Sequence, residues 1–390
     1  MAYTVLSIFF WVIVVVIGYS CVGYVLLSLL AGWLAGSRRN SAKVDSFPSV
    51  SLIIPVYNEG TILREKLLNA IALDYPKDRL EILIADDHST DETPQVVASF
   101  VSDTIRYIRF DQRRGKAATV SDAVRMSDGE ILFLCDANVY FSNLALRKLT
   151  VHLADPDVGA VSGQVVLRSE ESDFGVGELV YYFLERLVQI SESRIGSMIG
   201  VDGGMYIVRR ELFPCLPTDT LLDDFVVSMN VLRQGKRIVY EPAAQATESG
   251  TPTAYQEFRR RKRLAAGSVQ SILRRHLPPW NRPVIMWQYV SHKLLRWHLP
   301  WLLLALLILN GALLRQGHTY SFVMGIQLAF YGLAALGALS GTLRRTTLFG
   351  VPFYFALGNA AIAVGTFRGL LRRETATWTP VARKPAIAKS

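Results

Sequence analysis

Three apolar runs stop at acidic or amide side chains, and no other feature of the chain restricts its fold as much. Ser51–Ile54 leads into Pro55-Val-Tyr57-Asn58-Glu59, Leu80–Ala85 into Asp86-Asp87, and Ile131–Cys135 into Asp136-Ala137-Asn138. Strands buried in parallel sheets read as unbroken apolar runs, and ligands of open α/β sheets bind beyond the carboxyl ends of the strands. The expected fold class is therefore α/β, Rossmann-like with a mostly parallel sheet, whose polar edge receives a nucleotide. Alternation supports this reading. Val50–Ile54 is followed by a helix over Thr61–Ala72, Glu81–Ala85 by Pro94–Val101, Arg106–Phe110 by Lys116–Met126, and Glu130–Leu134 by Leu144–His152, as βαβ units require. A dinucleotide oxidoreductase is excluded as the first reading, since no G-x-G-x-x-G follows the first strand.

This domain, expected over 44–246, cannot be the whole architecture. At 390 residues with 51% hydrophobic and 19% charged residues, the chain is too apolar for an ordinary soluble protein and too charged to be wholly intramembrane. The run Met1–Ser37 has no charged side chain, and about 20 apolar residues span the hydrocarbon core, so 1–37 reads as one transmembrane helix. As a signal peptide it is too long, with no basic segment before it and no convincing cleavage site after it. Arg38, Arg39 and Lys43 follow, placing the next domain in the cytoplasm by the positive-inside rule.

Near the other end, Trp297–Leu314, Gln316–Leu343 and Thr346–Phe367 are also uncharged. The first two read as spans within a C-terminal membrane region, 297–367. If the third crossed, the basic tail 368–390 would lie outside, against the charge bias. The reading favoured is a re-entrant or interfacial segment packed on the other helices, with a cytoplasmic tail, in a multi-pass inner-membrane protein. Between domain and spans, 253–296 is expected to form amphipathic interfacial helices, because Arg259–Arg263 carries cations beside Phe258, Leu264 and Val269. Such juxtamembrane cations, facing anionic membrane lipids, account for much of the net charge of +9 without nucleic acid as a partner. Cys21, Cys135 and Cys215 are scattered, with no metal-binding spacing.

The motifs support specific chemistry. Pro55, Tyr57 and Glu59 stand where an aromatic ring stacks on a base and polar groups reach its edge; a strand-to-helix turn capped by Asn58 or Thr61 is the structural alternative. Asp86 and Asp87 can accept hydrogen bonds from a uracil imide or ribose, or cap the next helix. Lys116, after Gly115 at a helix start, suits a diphosphate. Asp136 is a hard oxygen ligand for a divalent cation, Mg²⁺ or Mn²⁺, and Asn138 offers a neutral oxygen or holds ribose. Asp223 and Asp224 open an apolar-periodic helix that stops at Gly235; one carboxylate is a candidate general base for an acceptor hydroxyl and the other a cap. Arg260 and Arg263 are candidates for the leaving-group phosphates.

Taken in order, Pro55–Glu59, Ala85–Thr93, Arg114–Ala117, Asp136–Asn138, Gly203–Phe213, Asp223–Phe225 and Arg260–Leu264 resemble the membrane-embedded branch of glycosyltransferase family 2, which includes the cellulose, chitin and hyaluronan synthases. The resemblance implies a GT-A fold, an inverting displacement on a nucleotide sugar, most simply a UDP-sugar, and a divalent metal. It makes Asp86 and Asp87 the uridine contacts, Asp136 the metal ligand, Asp224 the base and Arg263 a diphosphate contact, and it sets Gly203 and Gly204 beside the acceptor. Processive members carry Q-x-x-R-W; here Arg260, Arg263 and Leu264 stand at those positions, without the Trp that stacks on the acceptor sugar. A lipid-linked or saccharide acceptor receiving one or few sugars is the main expectation. Processive exopolysaccharide synthesis with export partners is the alternative.

Overall fold

The computed structural model describes residues 1–36, 47–168, 176–249 and 253–377. It opens with helices α1 (Ala2–Gly18) and α2 (Tyr24–Ala35), joined without a break by a π-helical turn at Tyr19–Gly23. The domain that follows is organised by β1 (Val50–Val56), buried at every position. It pairs in parallel with β2 (Leu80–Asp86) on one side and β4 (Ile131–Cys135) on the other, and β2 pairs in parallel with β3 (Ile105–Arg109). Between these strands run α3 (Gly60–Ile71), α4 (Thr93–Ala98) and α5 (Lys116–Arg125), within a residue or a few of the sequence expectation. Pro55 does not end its strand as expected: β1 continues to Val56, with Pro55 in register with Ala85.

Beyond β4 the sheet becomes mixed. The full order is β3-β2-β1-β4-β7-β6-β8-β5, with β5 at Val139–Phe141, β6 at Val158–Arg168, β7 at Met205–Arg209 and β8 at Arg237–Ser249. Strand β7 is antiparallel to β4 and β6, β6 is parallel to β8, and β5 is antiparallel to β8. One apolar cluster on each face of the sheet buries β1 and β4 completely and β2 at every position except Glu81. Helices α6 (Ala145–Thr150), α7 (Val176–Ile195) and α8 (Asp223–Arg233) complete the domain. Helix α7 packs on α2, so the sheet domain and the first hydrophobic segment share a joint: Tyr24 is fully buried and its hydroxyl donates to Glu192 at 2.5 Å.

The basic segment forms α9 (Ala254–Leu273), capped by the Thr253 side chain accepting from Gln256 N. The sequence places it at the membrane surface; in the structure it buries Glu257 and Ala265–Val269 in protein while Tyr255, Arg259 and Arg260 stay exposed. After α10 (Pro283–Gln288), a π-helical turn at Tyr289–Leu294 runs into α11 (Leu295–Leu313), and α12 (His318–Leu339), α13 (Gly341–Arg344) and α14 (Thr347–Leu370) follow. Among the described residues, four stretches are long and apolar enough to cross a membrane: Tyr3–Ala35, Pro283–Gln316, His318–Leu339 and Thr347–Leu370. Helix α14 is continuous, with Pro352 near its start, where few intrahelical donors are lost. It lies directly on α9: a Cβ on Gly365 would stand 2.2 Å from the Lys262 carbonyl, so only glycine allows this approach. The segment 378–390 of the expected tail lies outside the described residues.

Gly235 ends α8 as expected, at φ +81. Its N–H donates to Leu232 O and that of Lys236 to Val231 O, which satisfies two orphan carbonyls of the last turn. Because Ala pays the left-handed conformational penalty that Gly avoids, Gly235→Ala is expected to destabilise the domain by about 1 kcal/mol. A melting curve should show a downward shift of about 2–4 °C.

Candidate active site

The carboxyl ends of β1, β2 and β4 meet the N-termini of α5 and α8. Lys116, the first residue of α5, reaches from one to the other. Its ammonium lies 2.8 Å from Asp136 Oδ1 and 3.6 Å from Asp223 Oδ2. Burial alone would lower its pKa, but the two carboxylates outweigh it and hold the amine charged well above its usual range. Around this point a small cavity of about 10 Å³ is lined by Pro55, Lys116, Gly203, Tyr206 and Asp223, among others. A larger cavity, about 830 Å³, lies elsewhere, between Asp155, Arg237 and Pro283, and is lined by none of the expected site residues.

Asp224 follows Asp223 at the start of α8. Burial first, then the neighbouring Asp223 charge, push its pKa up to about 6, against the opposing pull of Lys116. Its Oδ1 accepts from Phe225 N, and Oδ2 turns toward Gly203. A Cβ on Gly203 would stand 2.8 Å from that oxygen, so the missing side chain makes room for Asp224 itself. The resemblance sets Gly203 beside the acceptor; in the structure it lies against the Asp224 carboxylate. Gly204 donates its N–H to Asp202 Oδ1 at 3.0 Å. Asp202 escaped the sequence reading. Burial and the charges of Glu248, Asp224 and Asp136 raise its pKa to about 7. Only its place beside the paired glycines could have drawn attention to it.

Asp86 and Asp87 are fully buried and their oxygens are filled from within the protein. Asp86 accepts from Ser89 N and Oγ and from the Tyr107 hydroxyl. Asp87 accepts from the backbone N–H groups of Arg114 and Gly115 and from Thr119 Oγ1. These are the acids expected to meet uridine; here they fix the loops around the site, and Asp87 ties the end of β2 to the entry of α5. The Asn58 and Thr61 caps are also replaced. Asp91, from the neighbouring loop, accepts from Gly60 N at 3.0 Å, while Asn58, at φ +53, binds Thr90. Glu59 is buried. The half-buried Tyr57 ring is covered by the Arg113 guanidinium at 3.8 Å, a cation on the face expected to stack on a base.

Asn138 is buried beside Asp136, its Nδ2 donating to Glu248 Oε1 at 2.7 Å. Beneath the loop, Lys66 is fully buried, donates to the Val139 carbonyl and lies 3.5 Å from the Phe141 ring centre. Its spacing with Ile62, Leu63, Leu67 and Ala70 marks it as inward-facing. On α9, Arg260 is spent on Glu257 and the Tyr182 hydroxyl rather than kept for a phosphate. Arg263 has no hydrogen bond or ion pair with any described residue. It lies one turn before Gly267, which packs on Leu221 and Leu222 immediately ahead of Asp223. After α14 the chain returns to the same place: Glu374 pairs with Arg368 and Lys262, and the Ala376 carbonyl lies against Gly115.

A model of glycosyl transferase family 2 matches residues 51–216. Among curated proteins, the poly-beta-1,6-N-acetyl-D-glucosamine synthase of Staphylococcus aureus (strain COL) is 24% identical over 244 residues, 61% of this chain and 59% of that one. The beta-monoglucosyldiacylglycerol synthase of Nostoc sp. is 25% identical over 246 residues, 60% of this chain and 51% of that one. The chain thus spans between half and three-fifths of the curated relatives it matches. The solved mannosyltransferase PcManGT from Pyrobaculum calidifontis, in complex with GDP-Man and Mn²⁺, superposes with a TM-score of 0.70 at 24% identity, over 94% of this chain and 100% of that one. The fold is thus a GT-A domain joined to apolar helices, and residues 51–216 of that domain match the model of glycosyl transferase family 2.

Proposed function

We propose that this protein transfers a sugar, with inversion, from a nucleotide-sugar donor to a lipid-linked or saccharide acceptor at the cytoplasmic face of the membrane. The observation that carries the reading is the meeting of Asp136, Asp223 and Asp224 around the Lys116 ammonium at the polar edge of the sheet. A cation already lies there between hard oxygen donors. Two carboxylates, completed by diphosphate oxygens and water, are a donor set suited to Mg²⁺ or Mn²⁺. The Mn²⁺ beside GDP-Man in the superposed mannosyltransferase supports this choice. Asp136, with Asp223 behind Lys116, would hold the ion. When bound, it would neutralise charge developing on the leaving diphosphate.

The chain's own residues supply the other roles. Lys116 and Arg263 face the diphosphate. Asp224 accepts the proton of the acceptor hydroxyl as that oxygen attacks the anomeric carbon from the side opposite the departing nucleoside diphosphate. Processive polymer synthesis is the second reading, supported by the Staphylococcus aureus polysaccharide synthase. Against it, Leu264 replaces the sugar-stacking Trp and packs instead against the cluster that contains Phe225 and Val226. Incubating purified protein in lipid with UDP- and GDP-sugars tests both readings. Labelled lipid supports the first, labelled polymer the second, and absence of turnover with every donor overturns the activity.

Three outcomes are expected. Asp136→Ala should abolish turnover and Mn²⁺-dependent nucleotide binding while the protein still folds and inserts; full activity in chelator would remove the metal from the scheme. Asp224→Asn should lower turnover by about 10²–10⁴-fold, the usual worth of positioned proton transfer, with donor binding kept. Because the base must be ionised, wild-type turnover should fall as pH drops through about 6, and the Asn variant should lack that limb. Asp223→Asn is the control that would reassign the base by one residue.

The third outcome concerns topology. Both ends of α14 touch the catalytic side: Gly350 lies against Gly177 of α7, and the segment after α14 against Gly115. That supports a helix which packs on α9 without crossing. Cysteines placed near Arg344 and after Arg372 should both be labelled from the cytoplasmic side alone. Labelling of the tail from outside would mean that α14 crosses.

A further inference from the structure

Residue 138 occupies the position where a D-x-D loop carries its second acid, yet it is Asn. The fold supplies a reason. Strand β5 runs antiparallel to β8 with Val139 opposite Glu248, which brings the loop residue just before β5 within reach of the Glu248 side chain. Asn138, 4% exposed, donates Nδ2–H to Glu248 Oε1 at 2.7 Å. The far side of the loop is held independently. Lys66 grips the Val139 carbonyl, and the Asn69 amide pairs with both the N–H and the carbonyl of Phe141.

We propose that Glu248 is a positioning residue of the donor site: it orients the Asn138 amide and thereby holds the loop that presents Asp136. An amide is required at 138 because a carboxylate already faces it from another strand. This rests on the reading of Asp136 as the cation-facing residue. The chemistry is one of donors and acceptors. An ionised carboxylate only accepts, whereas Asn can donate. Asp at 138 would set two acceptors face to face at a partly buried contact, and the loop would have to move apart. Gln at 248 keeps an oxygen for the Asn138 amide, and Ala keeps none. Groups that orient a metal ligand from behind are typically worth about 10–100-fold in metal affinity.

The test is calorimetric titration of Mn²⁺ with UDP or GDP into the purified full-length chain in lipid, which needs no turnover. Glu248→Ala should weaken Mn²⁺-supported nucleotide binding by about 10–100-fold, and Glu248→Gln by less than about threefold. Asn138→Asp should weaken it by at least about tenfold, and Asn138→Asp with Glu248→Gln should restore it to within about threefold, because the Gln amide then donates back to the new carboxylate. The same reciprocal recovery should appear in melting temperature with chelator present, a readout that remains available if Glu248→Ala fails to fold. Equal losses in Glu248→Gln and Glu248→Ala, or no recovery in the double variant, would overturn the proposal. Asp136→Ala is the separate control: if it binds Mn²⁺ and nucleotide like wild type, the donor-site reading itself fails, and this proposal with it.

Discussion

The Lys116 ammonium, 2.8 Å from Asp136 and 3.6 Å from Asp223, lets three segments distant in sequence meet at one point. Without a cation there, the end of β4 and the start of α8 would present like charges to each other across a partly buried gap, where screening by water is weak. One ammonium offsets only part of that charge. The remainder is visible in Asp224 and Asp202, whose pKa values are pushed up to about 6 and about 7, with neighbouring carboxylates among the causes in each case. A site with surplus negative charge repels a diphosphate unless further positive charge arrives with it. Under the proposed function, the electrostatics that shape the fold would also favour a divalent cation accompanying the donor.

The positioning of Lys116 itself depends on a buried, inward-turned acid. Asp87 takes the N–H groups of Arg114 and Gly115 and the Thr119 hydroxyl, fixing the first turn of α5 against the end of β2. Gly115, at φ +94, supplies the backbone conformation that this turn needs. If the loop were free, the Lys116 stem would have no defined origin. The paired acids at the end of β2 thus act on the site through the loop, as a strut for the residue that carries the charge.

Much of this could be read in the sequence, for a definite reason. Strands β1, β2 and β4 are buried on both faces and so appear as continuous apolar runs, and their ends gather polar residues. Strands β6 and β8 were harder to see, since β6 contains Ser162, Gly163 and Gln164, and β8 passes through Pro242. Pair partners were harder still. Nothing local reveals that Asn138 faces Glu248, 110 residues away, because that contact comes from the antiparallel ladder of β5 on β8. Arg260 could have been found: Glu257 lies three residues before it and four before Arg261, the spacing at which helix side chains meet. A basic helix with a buried Glu is a helix expecting a second protein surface.

That second surface gives α9 its place in the architecture. One face carries Gly267 and Gln270 onto the loop before Asp223: Gln270 accepts from Leu221 N and donates to the Asp219 carbonyl. The opposite face carries Arg261, Lys262 and Ala266 onto Gly358, Gly365 and Gly369 of α14. Glu257, whose pKa is driven down by Arg260 and Arg261 despite its burial, locks the near end, with Arg261 also donating to the Tyr354 hydroxyl. Such a buried ion pair contributes little net stability but strongly resists the loss of one partner. It therefore serves register better than strength. The same helix that grips an apolar segment by backbone-to-backbone contact fixes the approach to Asp223 and Asp224, so these two carboxylates are held at a set distance from the apolar helices. Under the proposed function, an acceptor anchored in the membrane would meet Asp224 at a position that this packing has already determined.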